Sequence, residues 1–202
     1  PEKNWKILDA CAGAGGKTLH LASLQADSGE IVASDIEYKR LKELLKRAKR
    51  FGFQSIKVIN FNNSKDIKIF YNYFDAILID APCSGTGTLR RMPLPKYRLT
   101  PKAINKLADN QYSILNYYSQ FLKPGGILIY ATCSILGEEN DLVIDRFLNS
   151  HKNFEPDSIA EALNKIDIVS IDIDKEDFKL YMLPSLHNTD GFFIARLKKV
   201  YE

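Results

Sequence analysis

Phe74 to Arg91 reads FDAILIDAPCSGTGTLRR, and this stretch decides the fold. Four apolar residues, Ala76 to Ile79, are closed by an acid, Asp80, then Pro82, Cys83 and a glycine-rich turn. A short apolar run bounded by turn residues suits a central strand of a parallel sheet, buried on both faces. A carboxylate and a thiol where such a strand ends lie on the sheet edge at which open α/β folds bind ligands. Gly126 to Asn140 (GILIYATCSILGEEN) repeats the design with Cys133, and Trp5 to Leu21 (WKILDACAGAGGKTLHL) repeats it with Cys11. Three strands thus end in a cysteine each, a coincidence that any reading of the chain has to explain.

Outward from that stretch, strands alternate with helices. Ile7 and Leu8 form a first strand that runs to Asp9 and Cys11; Gly13, Gly15 and Gly16 make a turn, and Lys17 to Gln25 reads as a helix. Ile31 to Ala33 form a second strand ending in Asp35. Leu41, Leu44, Leu45 and Ala48 keep helical spacing from Tyr38 to Phe51, and Gly52 ends that helix. Ile56, Val58 and Ile59 form a third strand, and Ser64 to Tyr73 a short helix or loop. Thr88 to Leu99 reads as an ordered surface loop. Thr100-Pro101 pairs a cap with a first-turn proline and opens a helix whose spacing continues to Leu122. Pro124-Gly125-Gly126 is expected to break the chain before the fifth strand. Glu138, Glu139 and Asp141 place acid in the first turn of the next helix, where it suits the dipole. A strand near Phe178 to Leu183 and a last strand from Phe192 to Leu197 complete the pattern. This alternation predicts a doubly wound α/β sheet with right-handed crossovers. If the first, fourth and fifth strands are neighbours, the three cysteines and Asp80 meet at one crevice.

At 202 residues and 45% hydrophobic content, the chain suffices for one core and is read as a single domain over 1–202. A net charge of +3 permits an acidic partner without requiring one. No apolar run spans a bilayer and no leader pattern opens the chain, so no membrane association is expected. Three widely spaced cysteines do not form a disulfide framework, which points to a reducing, cytoplasmic setting. The chain starts at Pro1, close to its first strand, and is read as a fragment with a region upstream. No metal site is assigned, and a monomer is expected.

The glycine turn admits three readings. A phosphate loop fits Gly16-Lys17-Thr18 but needs glycine at Cys11, and the dinucleotide fingerprint starts at Gly13 and Gly15 but ends on Thr18. The third is an adenosyl donor site, with Asp35 holding the ribose hydroxyls. A turn used only for helix–strand packing is the plainer alternative, ranked lower because the glycines and a second-strand acid occur together.

With Asp-Ala-Pro-Cys-Ser-Gly (Asp80 to Gly85) and Ala-Thr-Cys-Ser (Ala131 to Ser134) both present, the chain resembles the catalytic domain of the NOL1/NOP2/Sun family, nearest its RsmB type. These are S-adenosylmethionine-dependent RNA cytosine-5 methyltransferases. The resemblance runs from Ile7 to Leu136 and returns at Asp190-Gly191-Phe192-Phe193. It implies a class I (Rossmann-like) methyltransferase fold, mostly parallel with an antiparallel last strand. It also implies S-adenosylmethionine as cofactor and RNA as partner, rRNA foremost and tRNA as the alternative. Donor contacts are implied at Cys11, Ala12, Gly13, Ala14, Gly15, Gly16, Lys17, Asp35, Asn62 and Asp80. The family turn Ala-Ala-Pro-Gly-Gly-Lys has Gly13 and Ala14 here in place of its Ala-Pro pair, and Asn62 stands where the family usually has Asp.

The implied chemistry assigns Cys133 as the nucleophile that adds to cytosine C6, activating C5. A helix beginning just after Cys133 is expected to lower its pKa. Asp80 faces the cytosine N3/N4 edge, Lys17 the base or the methionine carboxylate, and Cys83 assists product release. The residues alone leave open which thiol attacks, since in DNA cytosine-5 methyltransferases a Pro-Cys thiol does so and Pro82-Cys83 matches that pattern. A small buried hydrophobe is the ordinary fate of a free cysteine. For Cys11 that reading weighs as much as function; for Cys83 and Cys133 it weighs less. Arg90, Arg91, Lys96 and Arg98 are equally a phosphate-binding loop or a solvated one. Lys39, Arg40, Lys42, Lys46, Arg47, Lys49 and Arg50 read as the wet face of a helix, and His187 as structural. The target cytosine has to be unstacked, so the RNA is single-stranded, looped or flipped. The rivals are a methyltransferase acting on DNA or a small molecule, a non-catalytic RNA-binding module, and a nicotinamide-dependent dehydrogenase.

Overall fold

A computed structural model describes residues 1–61, 67–97, 99–164 and 174–201. In chain order the main elements are β1 (Lys6–Asp9), α1 (Gly16–Leu24), β2 (Glu30–Ala33), α2 (Tyr38–Phe51), β3 (Ile56–Val58) and β4 (Phe74–Asp80). They continue with α3 (Pro101–Ser119), β5 (Leu122–Thr132), α4 (Asp141–Ser150), β6 (Phe154–Pro156), α5 (Ile159–Asn164), β7 (Lys179–Met182), α6 (Pro184–His187) and β8 (Phe192–Lys199). Two compact units result: Pro1–Asp80 with Tyr118–Leu128, and Ala81–Tyr117 with Ile129–Glu202. Among the described residues no helix is long and apolar enough to cross a membrane.

In the first unit the strand order is β3-β2-β1-β4-β5. β1 pairs in parallel with β2 (Ile7 opposite Ile31) and with β4 (Leu8 opposite Ile77), so β1 is flanked on both edges and its residues Ile7, Leu8 and Asp9 are buried. Parallel strands need helical crossovers, and α1 and α2 supply them. α2 buries Leu41, Leu44 and Ala48, one stripe at helical spacing, against Ile7, Ile31 and Ile56. Gly52, with φ near +81°, ends it in the left-handed conformation glycine adopts without strain. Lys39, Arg40, Lys42, Lys46, Lys49 and Arg50 are exposed, as the wet-face reading expects. A second packing centre is aromatic: Phe61 lies 5.0 Å from Phe121, 5.4 Å from Phe70 and 5.7 Å from Tyr118 between ring centroids.

β5 departs from expectation. The sequence places a break at Pro124-Gly125-Gly126 before the strand, yet these residues lie inside it, and α3 stops at Ser119 rather than Leu122. The N–H of Phe74 donates to the Phe121 carbonyl and that of Ala81 to the Ala131 carbonyl, so β5 uses ten residues where β4 uses seven. The three surplus residues fall between those two bonds, where Gly125 holds the left-handed φ near +80°. Gly126 turns so tightly that a Cβ there meets Leu122 at 2.7 Å.

In the second unit the order is β5-β8-β6, and β7 also pairs with β8. The last strand, β8, is antiparallel to both β6 (Phe154 opposite Lys199) and β7 (Leu180 opposite Ile194). β7 lies within the predicted Phe178 to Leu183 span, whereas the three-residue β6 carries too little apolar pattern to be read from sequence. Tyr130, Phe147, Phe193, Ala195 and Leu197 are buried here.

Candidate active site

In the first unit, β1 delivers Asp9 at 1% exposure. Its Oδ2 accepts from the Thr18 hydroxyl at 2.7 Å, and its Oδ1 is buried without a hydrogen-bond partner. Burial above all pushes the Asp9 carboxyl up to about 6, against the Thr18 bond and with help from the charges of Asp80 and Asp35. Beyond it the turn hangs from its neighbours: the Ala10 N–H donates to the Leu78 carbonyl and that of Ala12 to the Ser34 carbonyl, both at 2.9 Å. Gly15 has φ near +87°, and a Cβ on it meets Leu44 Cγ at 2.5 Å, so this position requires glycine twice over.

Asp35, at the end of the second strand, accepts from the Gly13 N–H at 2.9 Å and the Glu37 N–H at 2.8 Å. Each of its oxygens retains acceptor capacity. Lys17 Nζ lies 2.5 Å from Asp80 Oδ2, which joins α1 to the end of β4. Arg47, expected on the wet face of α2, donates to the Ala14 carbonyl at 2.7 Å and pins the turn from outside. Cys11 sits among these acids. Burial first, then the charges of Asp9, Asp35 and Asp80, push its thiol up to about 12, so at neutral pH it is protonated and a poor nucleophile. Of the predicted donor residues, the structure brings Gly13 to Asp35 and Lys17 to Asp80; Asn62 lies outside the described residues.

The second unit holds the other two thiols. Cys83 Sγ and Cys133 Sγ are 3.3 Å apart, within thiol hydrogen-bond reach. The hydrogen bond with Cys133 is the first cause, and burial the second, that drives the Cys83 thiol far above the ordinary thiol range; the Gly85 N–H opposes them. The helix expected just after Cys133 begins only at Asp141, eight residues on, so its N-terminus is not next to the sulfur.

Past each cysteine the chain enters a buried polar network instead. The Glu139 carboxylate, 0% exposed, accepts from Ser84 N at 2.8 Å and Gln111 Nε2 at 2.9 Å on Oε1, and from the Ser84 and Ser134 hydroxyls on Oε2. The first-turn reading of Glu138 and Glu139 is therefore corrected: α4 starts at Asp141, which alone of the three acids stands in that turn, and Glu139 lies before it, wholly out of water and holding loops. Glu138 is exposed, and Asp141 accepts from Tyr181 and Lys179. Gly87 approaches closely enough that a Cβ there meets the Gly191 carbonyl oxygen at 2.2 Å. Its N–H donates to the Cys133 carbonyl at 2.9 Å, and its own carbonyl accepts from Gly191 N at 2.8 Å. Asp190-Gly191 thus buttresses the Cys133 loop, and Arg91 pairs with Asp190. Of the basic loop, Arg90 is exposed, while Arg98 and the side chain of Lys96 lie outside the described residues. His187 Nδ1 accepts from the Leu183 N–H within its own short helix, a structural use.

Asp9, Arg47, Gly87 and Glu139 were not selected from sequence. An acid directly at a strand end was the available signal for Asp9; Arg47 and Glu139 read only as helix charges, and nothing local marked Gly87.

Residues 1–198 match the family described as 16S rRNA methyltransferase RsmB/F. The chain belongs to that family. This agrees with the resemblance carried by Asp80 to Gly85 and Ala131 to Ser134. It is 39% identical over 201 residues to ribosomal RNA small subunit methyltransferase B of Shewanella oneidensis, a match that covers 98% of this chain and 44% of that protein. The chain thus spans less than half the length of such RsmB/F relatives. The crystal structure of PH0851 shares 34% identity at a TM-score of 0.86, covering 98% of this chain and 43% of that one. NSun6 from Pyrococcus horikoshii, solved with SFG, shares 29% identity at a TM-score of 0.80, over 100% of this chain and 50% of that one. The fold is that of the class I, Rossmann-like methyltransferases.

Proposed function

We propose that this chain is the catalytic part of an S-adenosylmethionine-dependent RNA cytosine-C5 methyltransferase acting on ribosomal RNA, with Cys133 as nucleophile and Cys83 as the group that releases product. The observation that carries the reading is the 3.3 Å separation of the two thiols in a chain of the RsmB/F family. The relatives named for ribosomal RNA favour that substrate, and NSun6 was solved with SFG, an S-adenosylmethionine analogue.

The first unit suits the donor. Asp9, Asp35 and Asp80 all act on Cys11, and this negative field favours a cationic ligand. S-adenosylmethionine, when bound, supplies an electrophilic methyl group on a positively charged sulfur. Cys11 to Lys17 would form its turn, and Asp35 would take the ribose hydroxyls. Lys17 is assigned to the methionine carboxylate and Asp80 to the cytosine N4 amino group; only Ala81 and Pro82 separate Asp80 from Cys83 in the chain.

In the second unit, the bond to Cys133 drives the Cys83 thiol above the ordinary range, and the family resemblance assigns the attack to Cys133. The Cys133 sulfur forms a bond to C6 with its own electron pair, and the C5–C6 π pair makes C5 nucleophilic toward the methyl group. That bond consumes the negative charge on Cys133. With it go the hydrogen bond and the charge that held the Cys83 proton, so Cys83 releases that proton to solvent and, as a thiolate, becomes able to act as a base. It takes the C5 proton, the C–H pair restores the C5–C6 double bond, and Cys133 leaves as thiolate.

Paired substitutions test the roles on ribosomal RNA lacking the modification. Cys133→Ala is expected to lower methyl transfer by roughly 10³-fold or more and to form no covalent RNA complex. Cys83→Ala is expected to accumulate an RNA adduct that survives denaturing gels. The opposite pattern overturns the roles, and transfer to tRNA alone overturns the substrate.

A further inference from the structure

We propose that Glu139 is a positioning residue that fixes the spacing of the two thiols by gripping the residues beside each of them; this rests on the roles proposed for Cys83 and Cys133. Ser84 is the residue after Cys83, and Glu139 takes both its N–H and its hydroxyl. Ser134 is the residue after Cys133, and its hydroxyl donates to the same carboxylate at 2.6 Å. Gln111 Nε2 donates to Glu139 at 2.9 Å and to the carbonyl of Pro82, the residue before Cys83, at 3.0 Å. Asn140 completes the grip around Cys133: its Oδ1 accepts from the Thr132 hydroxyl at 2.7 Å and its Nδ2 donates to the Ser134 carbonyl at 3.0 Å. Three of the four residues flanking the cysteines are therefore tied directly to two consecutive side chains, Glu139 and Asn140, and the fourth, Pro82, is tied through Gln111. The Tyr130 hydroxyl in turn donates to the Glu139 carbonyl at 2.7 Å and holds their backbone.

The chemistry needs a carboxylate at this place. Its four hydrogen-bond donors are neutral groups, and a buried acid without a cationic donor is costly, so a merely packed position is better filled by an apolar side chain. An ionised carboxylate is the acceptor-only side chain able to receive four donors at once. An amide at the same reach turns one of those acceptors into a donor and forces the Ser84 and Ser134 hydroxyls to reverse. Two thiols held 3.3 Å apart lose their hydrogen bond with a shift of an ångström, and misplacement on that scale costs about 10²-fold in rate.

Glu139→Gln keeps reach and removes charge; Glu139→Asp keeps charge and withdraws it by one methylene. Each is measured for kcat and KM on the RNA, donor affinity, and the pH profile of Cys83 alkylation by iodoacetamide without RNA. Both variants are expected to lower kcat by about 10- to 100-fold with RNA KM and donor affinity within about threefold. Both are also expected to move Cys83 alkylation to lower pH: Glu139→Asp because the hydrogen bond to Cys133 is loosened, and Glu139→Gln further because it removes a charge that itself raises the Cys83 thiol, so Glu139→Asp is the variant that reads the grip. Ser134→Ala, which removes one donor of the grip and leaves the acid in place, is expected to do the same more weakly, and it decides the matter if neither Glu139 variant folds. A wild-type profile and kcat in Glu139→Asp, or in Ser134→Ala, overturns the proposal, as does a rise in KM at unchanged kcat. A wild-type protein that methylates no cytosine but whose Cys83 profile responds to Glu139 leaves the grip standing and removes the assigned function. Methylation with an unresponsive profile does the reverse.

Discussion

Cys11 and Cys83 both close a strand, and both thiols are raised, but for different reasons. Cys11 is held up by burial and by three carboxylates that belong to the fold. Cys83 is held up first by a bond to another thiol, and burial comes second. The first set of causes is permanent. The second is conditional, because the chemistry assigned to Cys133 consumes the charge that sustains it. A strand-end cysteine is therefore not one kind of site: fixed charges of the fold make a silent thiol, and a reactive partner makes one whose proton can be called on in turn.

The sharpest way to break this contrast is to remove the partner. Cys133→Ala is expected to bring Cys83 alkylation down by at least about 2 pH units while leaving Cys11 where it is, read by mass spectrometry of each peptide. Equal movement of both thiols would mean that one shared field governs them. The next effect belongs to Asp9. With a folded value of about 6 against an ordinary 3.8, the folded state holds a proton that the unfolded chain has released, so stability falls as pH rises through that window. The span corresponds to about 3 kcal/mol, fully present as a cost above pH of about 6. Asp9→Asn is expected to abolish this dependence in urea unfolding at pH 4 and pH 7, and to lower the pH at which Cys11 is alkylated. The smallest change is expected from Cys11→Ala: less than about 1 kcal/mol in the same unfolding experiment and methyl transfer within about twofold of wild type. A large loss there would make Cys11 a participant and erase the contrast.

The parts of the site written in contiguous residues were legible. Asp80 to Gly85 and Ala131 to Ser134 each present a strand, a turn and a thiol within one short stretch, and α2 announced itself by spacing and by Gly52. Pro124-Gly125-Gly126 misled because these residues ordinarily stop a strand; here they lie inside β5, between Phe121 and Ala131, which are bonded to β4 and to the residue after it. Glu139 misled because an acid near a helix start is ordinarily a solvated charge, and nothing local reveals that Ser84, Gln111 and Ser134 arrive around it.

The sequence by itself determined the alternation of strands and helices, the three strand-end thiols and the family, because each depends on the order and period of neighbouring residues. Only the tertiary structure decided which thiols are partners, which acid is buried and what grips the loops. Those depend on distances between residues some 50 positions apart, such as Cys83 and Cys133, and on the removal of water from around them.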